Sequence, residues 1–386
     1  MFLTIVIFVV VLSVLVFAHE FGHFFTARRF KVKAEEFGFG FPPRVIGWYK
    51  NRYGHWRKVL GNRSAESLAK SENENLHPAH RATIYSLNWL PIGGFVKIKG
   101  ENGGEKEDKD SFASRKIWQR ALILAAGVVM NVILAWFLFS LGYLFGLPQS
   151  TDSLGPKARV SEAQIVIVQV LPNTPAANAG LKDGDIILEV DGASVGSEKA
   201  LQDAIAAKAN ATTTLLINRA GAKESLDVVP KIRTSDRATI GVAIFAAGLV
   251  SYSFFHALWE GLRTTGFLIW QIIVAFFNLL KDLFSGQNIG AQFAGPVGIA
   301  SITGQAARLG FTYLLQFVAL LSLNLAMINF LPFPALDGGR ILFLAIEKVR
   351  GKPVKREVEN LVHNIGFLLL IALVIFVTYR DVVRLF

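Results

Sequence analysis

His19, Glu20 and His23 stand in the stretch AHEFGHFFTARR, directly behind the apolar run MFLTIVIFVVVLSVLVF. On a helix, positions i and i+4 share one face, one turn apart. Two imidazoles so placed can hold one Zn2+, and the glutamate between them can take a proton from a water beside the ion. The HExxH pattern alone is modestly specific, but its place sharpens it. Ionisable groups on a helix apolar enough to cross a bilayer are costly unless they have a partner or a task. Interfacial histidines with a snorkelling glutamate are the plain alternative.

A zinc centre that acts on a substrate needs a third protein ligand and one open position. The chain has no cysteine, so that ligand must be Asp, Glu or His at similar membrane depth. Asp337 is the best candidate, in PFPALDGGR just beyond an apolar segment ending at Leu331. Pro332 and Pro334 interrupt the helix there, and Gly338 and Gly339 permit close backbone approach. Irregular backbone at that depth is tolerated where protein or a cavity buries it. The competing role for Asp337 is N-cap of a helix starting at Gly338.

Composition says what kind of frame must hold these residues. Of 386 residues, 52% are hydrophobic and 18% charged, well under the roughly 25% charged of soluble domains. Mean hydropathy is +0.42. This is a membrane protein with a soluble part. The formal charge of +11 is spread along the chain and often flanks apolar spans, which favours a lipid bilayer over nucleic acid as partner. No helix-turn-helix or zinc-finger spacing stands beside the basic residues. The N-terminal run lacks a basic region before it and a small-x-small site before His19, so it reads as a retained helix rather than a cleaved signal.

The expected architecture is a polytopic α-helical membrane protein with about four transmembrane helices, an inserted soluble module and a membrane-associated β element. Residues 1–30 are the first transmembrane helix. Residues 31–115 are a cytoplasmic or membrane-dipping β region, in which EFGFGFPPRV and IYSLNWLPIGGFVKIKG have strand and turn features. A charged insertion at 50–82 lies between them. Residues 116–145 are the second span. Residues 155–235 form a compact α/β module, with short alternating runs (IVIVQV, DIILEV, TTLLINR) and one helix-like piece. Residues 250–284 read as an amphipathic surface or re-entrant helix. After the Gly-rich loop NIGAQFAGPVGIASITG come the third span with the LDG motif, 311–340, and a fourth, 361–380.

Topology tests the metal pairing. Arg28, Arg29, Lys31 and Lys33 mark the end of the first helix as cytoplasmic. The second span then runs outward and places 155–235 outside. The third returns inward and brings Asp337 to the depth of His19 and His23, provided 250–284 does not cross.

HExxH in the first span and NFLPFPALDGG near the third together resemble the site-2 protease family of intramembrane zinc metalloproteases, in its bacterial regulator-of-sigma-E protease branch. The resemblance covers nearly the whole chain. It implies one Zn2+ held by His19, His23 and Asp337, with Glu20 as catalytic base. The family's second-span glycine and asparagine match Gly127 and Asn131 in AAGVVMN, although Val128 stands where a proline commonly follows the glycine. By the same resemblance Asn131 and Asn329 are expected to position substrate; helix–helix hydrogen bonding worth under about 1 kcal/mol is the alternative. The segments Glu36–Val45 and Gly93–Lys99 could offer an unwound substrate a strand edge, with Gly93, Gly94 and Phe95 beside it. The 155–235 module resembles one PDZ domain, on the run Gly-Leu-Lys-Asp-Gly-Asp at 180–185.

The implied activity is cleavage of transmembrane segments of single-span proteins, such as a pre-trimmed anti-sigma factor or remnant signal peptides. The implied place is a bacterial inner membrane, with the PDZ domain outside and the catalytic site near the cytoplasmic face. A monomer is compatible with the sequence, which fixes no oligomeric state. Two other readings compete: an inactive membrane PDZ scaffold or chaperone, and a cation transporter. The chain shows neither the internal repeat nor the scattered intramembrane acids of transporters.

Overall fold

The computed structural model describes residues 2–51, 53–61, 83–150, 157–219, 222–232, 238–285 and 295–385. Most of the charged insertion at 50–82, and the start of the Gly-rich loop at 286–294, lie outside the described residues. The chain divides into two compact units, Met1–Leu138 with Leu262–Phe386, and Phe139–Gly261.

The first unit opens with α1 (Phe2–Arg29). In lipid every backbone polar group must be satisfied within the segment, so an apolar run of this length folds as a helix. Arg28 and Arg29 fill its last turn, where cations suit the exposed carbonyls. Three strands follow, β1 (Ala34–Lys50), β2 (Trp56–Leu60) and β3 (Ile84–Ile98), in the order β2-β1-β3. Both long strands bend. The Glu36–Phe39 part of β1 pairs on one side with Ile84–Leu87 and on the other with Gly94–Lys97. Among the described residues, Gly94–Ile98 therefore forms an outer edge. Phenylalanines alternate with glycines from Phe37 to Phe41, and the buried Phe37 stacks on Phe24 of α1, ring centroids 4.6 Å apart. Glu36 and the buried Arg44 form an ion pair within the bent sheet.

Next comes α2 (Ile117–Phe145), which leads into the second unit. Its elements are β4 (Leu147–Ser150), β5 (Arg159–Val170), α3 (Pro175–Asn178), β6 (Ile186–Val190), β7 (Ala193–Ser194) and α4 (Glu198–Ala206). They continue with β8 (Thr213–Arg219), β9 (Ala222–Val228), β10 (Lys231–Ile232), β11 (Ala238–Thr239) and β12 (Val242–Ser251). The main sheet runs β4-β12-β5-β6-β8-β9, with β7 on β6. Alternation along the strands sends Ile165, Ile167, Ile187, Leu215 and Ile217 into one core with Leu201 and Ile205 of α4.

The GLKDGD run has a physical role there. Gly180 and Gly184 take φ of 80° and 90°, and Asp185 is buried with both oxygens engaged. The Arg219 guanidinium donates to them at 2.7 and 2.8 Å, and the Lys182 amide at 2.8 Å. These contacts hold the Asp185 carboxyl below the usual carboxylate range. A lowered folded-state pKa gives stability that is present above the unfolded value near 3.9 and lost as pH falls through the folded one. Protection of β6 and β8 amides, corrected for intrinsic exchange, should therefore fall below about pH 4. Asp185→Asn should remove about 2 kcal/mol at neutral pH, less than the roughly 3–5 of a fully buried pair, because the Arg219 side chain is 24% exposed. Unchanged amide protection in the variant would refute this.

The first unit resumes with α5 (Phe254–Phe284), α6 (Pro296–Leu309), α7 (Phe311–Phe330), α8 (Asp337–Arg350) and α9 (Arg356–Leu385). Within 311–340, α7 stops at Phe330 and Asp337 opens a separate helix. Proline at 332 and 334 accounts for the break. Five helices among the described residues are long and apolar enough to cross a membrane. Phe254–Asp282 is one of them, with the lowest mean hydropathy of the five, 1.4. Within this unit α1 packs on β3, α6 and α7. Asp381 of α9, an acid in an apolar helix, accepts the Gly298 amide at 2.8 Å and so serves the N-terminus of α6.

Candidate metal centre

His19 and His23 lie one turn apart on α1, both about 6% exposed. Their Nε2 atoms stand 3.2 Å from each other. Asp337, the first residue of α8, brings Oδ2 to 2.9 Å from the His19 Nε2 and 3.3 Å from that of His23. Leu336, not Asp337, occupies the N-cap position of α8, and the carboxylate faces the histidines instead. Gly338 and Gly339 make this approach possible. A Cβ on Gly338 would lie 2.2 Å from the Leu331 carbonyl oxygen, and one on Gly339 2.2 Å from that of Phe333.

These residues fit a metal. His23 Nδ1 lies 2.8 Å from the Ile123 carbonyl, which can only accept, so Nδ1 carries the hydrogen. In the neutral ring that a metal requires, Nε2 is then a lone pair, and it points at a carboxylate oxygen and a second imidazole. Converging acceptors call for a cation. A tetrahedral Zn2+ with bonds of about 2.0–2.1 Å spaces its ligand atoms about 3.3 Å apart. The three observed separations, 2.9, 3.2 and 3.3 Å, lie close to that value. Donation of the remote ring nitrogen to a carbonyl is also the usual support of a metal-binding histidine.

Room for the two rings comes from α2. A Cβ on Gly127 would stand 2.4 Å from His23 Nε2 and 2.8 Å from His19 Nε2. In return, a Cβ on Gly22 of α1 would lie 2.2 Å from the Ala126 carbonyl oxygen. The two helices thus cross at contact distance through reciprocal glycines. One turn beyond Gly127, the fully buried Asn131 places Nδ2 3.3 Å from His19 Nδ1. Asn329, near the end of α7, places Nδ2 3.5 Å from His19 Nε2. Both asparagines are therefore brought to the first histidine.

Glu20 is held differently. Its Oε2 accepts the Val96 amide of the β3 edge at 3.1 Å. The Gly93 amide donates to Ser13 Oγ at 3.2 Å, and Ser13 Oγ donates to the Pro91 carbonyl at 3.0 Å. The polar side chains of α1 thereby clip this edge strand beside the histidines. Gly93 and Gly94 are buried against Val16 and Phe17 of α1, and Phe95 is half-buried.

Several supporting residues carry no signal in the sequence. His363 of α9 accepts the Ala335 amide on Nδ1 at 2.8 Å. Ala335 has a φ of 74°, a region unfavourable for a residue with a Cβ, two positions before Asp337. Ser322 of α7 donates to the Asn131 carbonyl at 2.8 Å. Farther along α8, Arg340 pairs with Glu101, and Arg120 of α2 with Glu347 at 2.6 Å. These pairs tie the Asp337 helix to the strand region and to α2.

Comparison with known proteins accords with this geometry. The chain matches the peptidase family M50 over residues 7–59 and 76–373. It is 29% identical to the regulator of sigma-W protease RasP of Bacillus subtilis over 439 residues, covering 99% of each chain. It is 30% identical to the zinc metalloprotease RasP of Geobacillus kaustophilus over 433 residues, covering 99% of this chain and 98% of that one. Among solved structures, the PDZ domain of an SdrC-like protein from Listeria monocytogenes is 25% identical, covering 22% of this chain and 92% of that one, at a TM-score of 0.21. With a His-His-Asp cluster capable of holding a metal ion, the chain belongs to peptidase family M50, as a metal-dependent protease related to the RasP-type site-2 proteases.

Proposed function

We propose that the protein is a zinc-dependent intramembrane endopeptidase that cuts the transmembrane segments of single-span proteins in a bacterial inner membrane. The convergence of two imidazole nitrogens and one carboxylate oxygen within 3.3 Å of one another, on helices apolar enough to cross a bilayer, carries this reading.

His19, His23 and Asp337 would hold the ion. When bound, Zn2+ supplies Lewis acidity at the scissile carbonyl and makes the attacking water more acidic. Glu20, anchored by the Val96 amide, takes the proton of that water and returns it to the leaving amine. Asn329 can donate to, or accept from, the substrate backbone beside the metal. A helical substrate hides its carbonyls, so it must unwind, and unwound backbone is costly in lipid. Strand pairing at Gly93–Phe95 offsets that cost, and the exposed Phe41, Trp89 and Leu90 suit dipping of the β element into the bilayer.

Under the charge-based topology the second unit lies outside the cytoplasm, and α5 lies along the surface so that Asp337 returns to the cytoplasmic side. As a single PDZ-like module it would act as a size filter. The substrate class is then a membrane protein already trimmed on its outer side, such as an anti-sigma factor, or a remnant signal peptide. The test uses one single-span substrate in two forms, with and without its outer domain, reconstituted with the purified protein. The trimmed form should be cut at least about tenfold faster (a difference of roughly 1.4 kcal/mol in barrier). Equal rates would reject the filter.

A further inference from the structure

Asn131 carries a further assignment, which rests on the zinc reading above. Its side chain is fully buried, its Nδ2 lies 3.3 Å from His19 Nδ1, and its Oδ1 has no hydrogen-bond partner. With Nδ2 toward the ring, His19 Nδ1 must be the acceptor. The ring's single hydrogen then sits on Nε2 and points at Asp337 Oδ2, 2.9 Å away. That arrangement pairs His19 Nε2–H with Asp337. It is incompatible with metal ligation, because Nε2 must offer a lone pair to the ion. The hydrogen then belongs on Nδ1, where it would meet the Asn131 amide hydrogens, donor against donor.

A half-turn about the last side-chain bond exchanges amide oxygen and nitrogen with almost no change of shape. One polar atom of Asn131 stays unpaired in either orientation, but only the turned one gives His19 Nδ1–H an acceptor. We propose that Asn131 is a positioning residue for the metal: its Oδ1 accepts from His19 Nδ1–H and fixes His19 in the tautomer that presents Nε2 to the ion. His23 has a fixed counterpart in the Ile123 carbonyl. The two histidines would thus be held by unlike supports, one backbone and permanent, the other an amide able to turn. Ser322 keeps the Asn131 backbone in place through its carbonyl.

The role differs from substrate positioning in which half of the amide does the work, and that makes it testable. Zinc affinity of the full chain in detergent would be measured by competition with a chelator, for wild type, Asn131→Leu and Asn131→Asp. Loss of a metal ligand's hydrogen-bond support typically weakens binding by about 10–100-fold. Asn131→Leu should fall in that range. Asn131→Asp, which can only accept, should stay within about threefold of wild type. At saturating zinc the KM of Asn131→Leu for a cleaved substrate should match wild type. Wild-type zinc affinity in Asn131→Leu, or equal loss in both variants, would overturn the assignment while leaving the zinc reading intact. Wild-type protein that binds no zinc would overturn both. Should the variants misfold, 15N-histidine spectra of zinc-loaded wild type decide the matter: a hydrogen on His19 Nδ1 is expected, and its absence refutes the proposal.

Discussion

Gly127→Ala should strip the protein of zinc while leaving its helices formed. The added methyl would stand 2.4 Å from His23 Nε2 and 2.7 Å from His19 Cε1, far inside contact distance. Neither ring can move aside freely. His23 is tied to the Ile123 carbonyl at 2.8 Å, and α1 and α2 already touch through Gly22. Alanine is the better helix former, by about 1 kcal/mol, so α2 itself should still form. We expect zinc affinity to fall at least about 100-fold, beyond the usual loss for a supporting contact, and proteolysis to fall with it. The measurement is zinc per chain after dialysis against buffered zinc, with helical content by circular dichroism as control. Full zinc occupancy in the variant would mean that the two imidazoles do not share the ion.

Glu20→Gln should do the reverse, keeping zinc and losing turnover. Glutamine preserves the shape and can still accept the Val96 amide that holds Glu20 at 3.1 Å, but it cannot take a proton. A positioned general base contributes about 10²–10⁴-fold, so kcat should drop by that factor while zinc per chain stays at the wild-type value. An inactive scaffold or a transporter would show no such split. Equal cleavage by both proteins would remove Glu20 from the mechanism.

The metal site was legible in the sequence because its parts are local. HExxH needs only the i, i+4 geometry of one helix, and Asp337 stands out because two prolines and two glycines break an apolar run around it. The sequence left two roles open for Asp337, and in the structure Leu336 stands at the helix cap while the Asp337 carboxylate faces the histidines. What holds the site was not legible. Val96 reaches Glu20 across 76 residues and Gly93 reaches Ser13 across 80, through a register that depends on bends in both long strands. His363 supports Ala335 through an irregular loop that no periodicity announces. The soluble module was recognisable from alternating strands, yet its sheet takes in β4 and β12, beyond the 155–235 range. Short LPQS and the uninterrupted apolar run VAIFAAGLVS show no period that marks them as strands.

We propose that one zinc ion, held by His19, His23 and Asp337, supports peptide hydrolysis inside the membrane. The most direct test strips the purified protein with a chelator and titrates zinc back. Cleavage of a trimmed single-span substrate is followed throughout, and the severed bond is mapped by mass spectrometry. Activity should return in step with one zinc per chain, and the bond should lie within the apolar segment. Full activity in the stripped protein, or a cut confined to the soluble flank, would contradict the account.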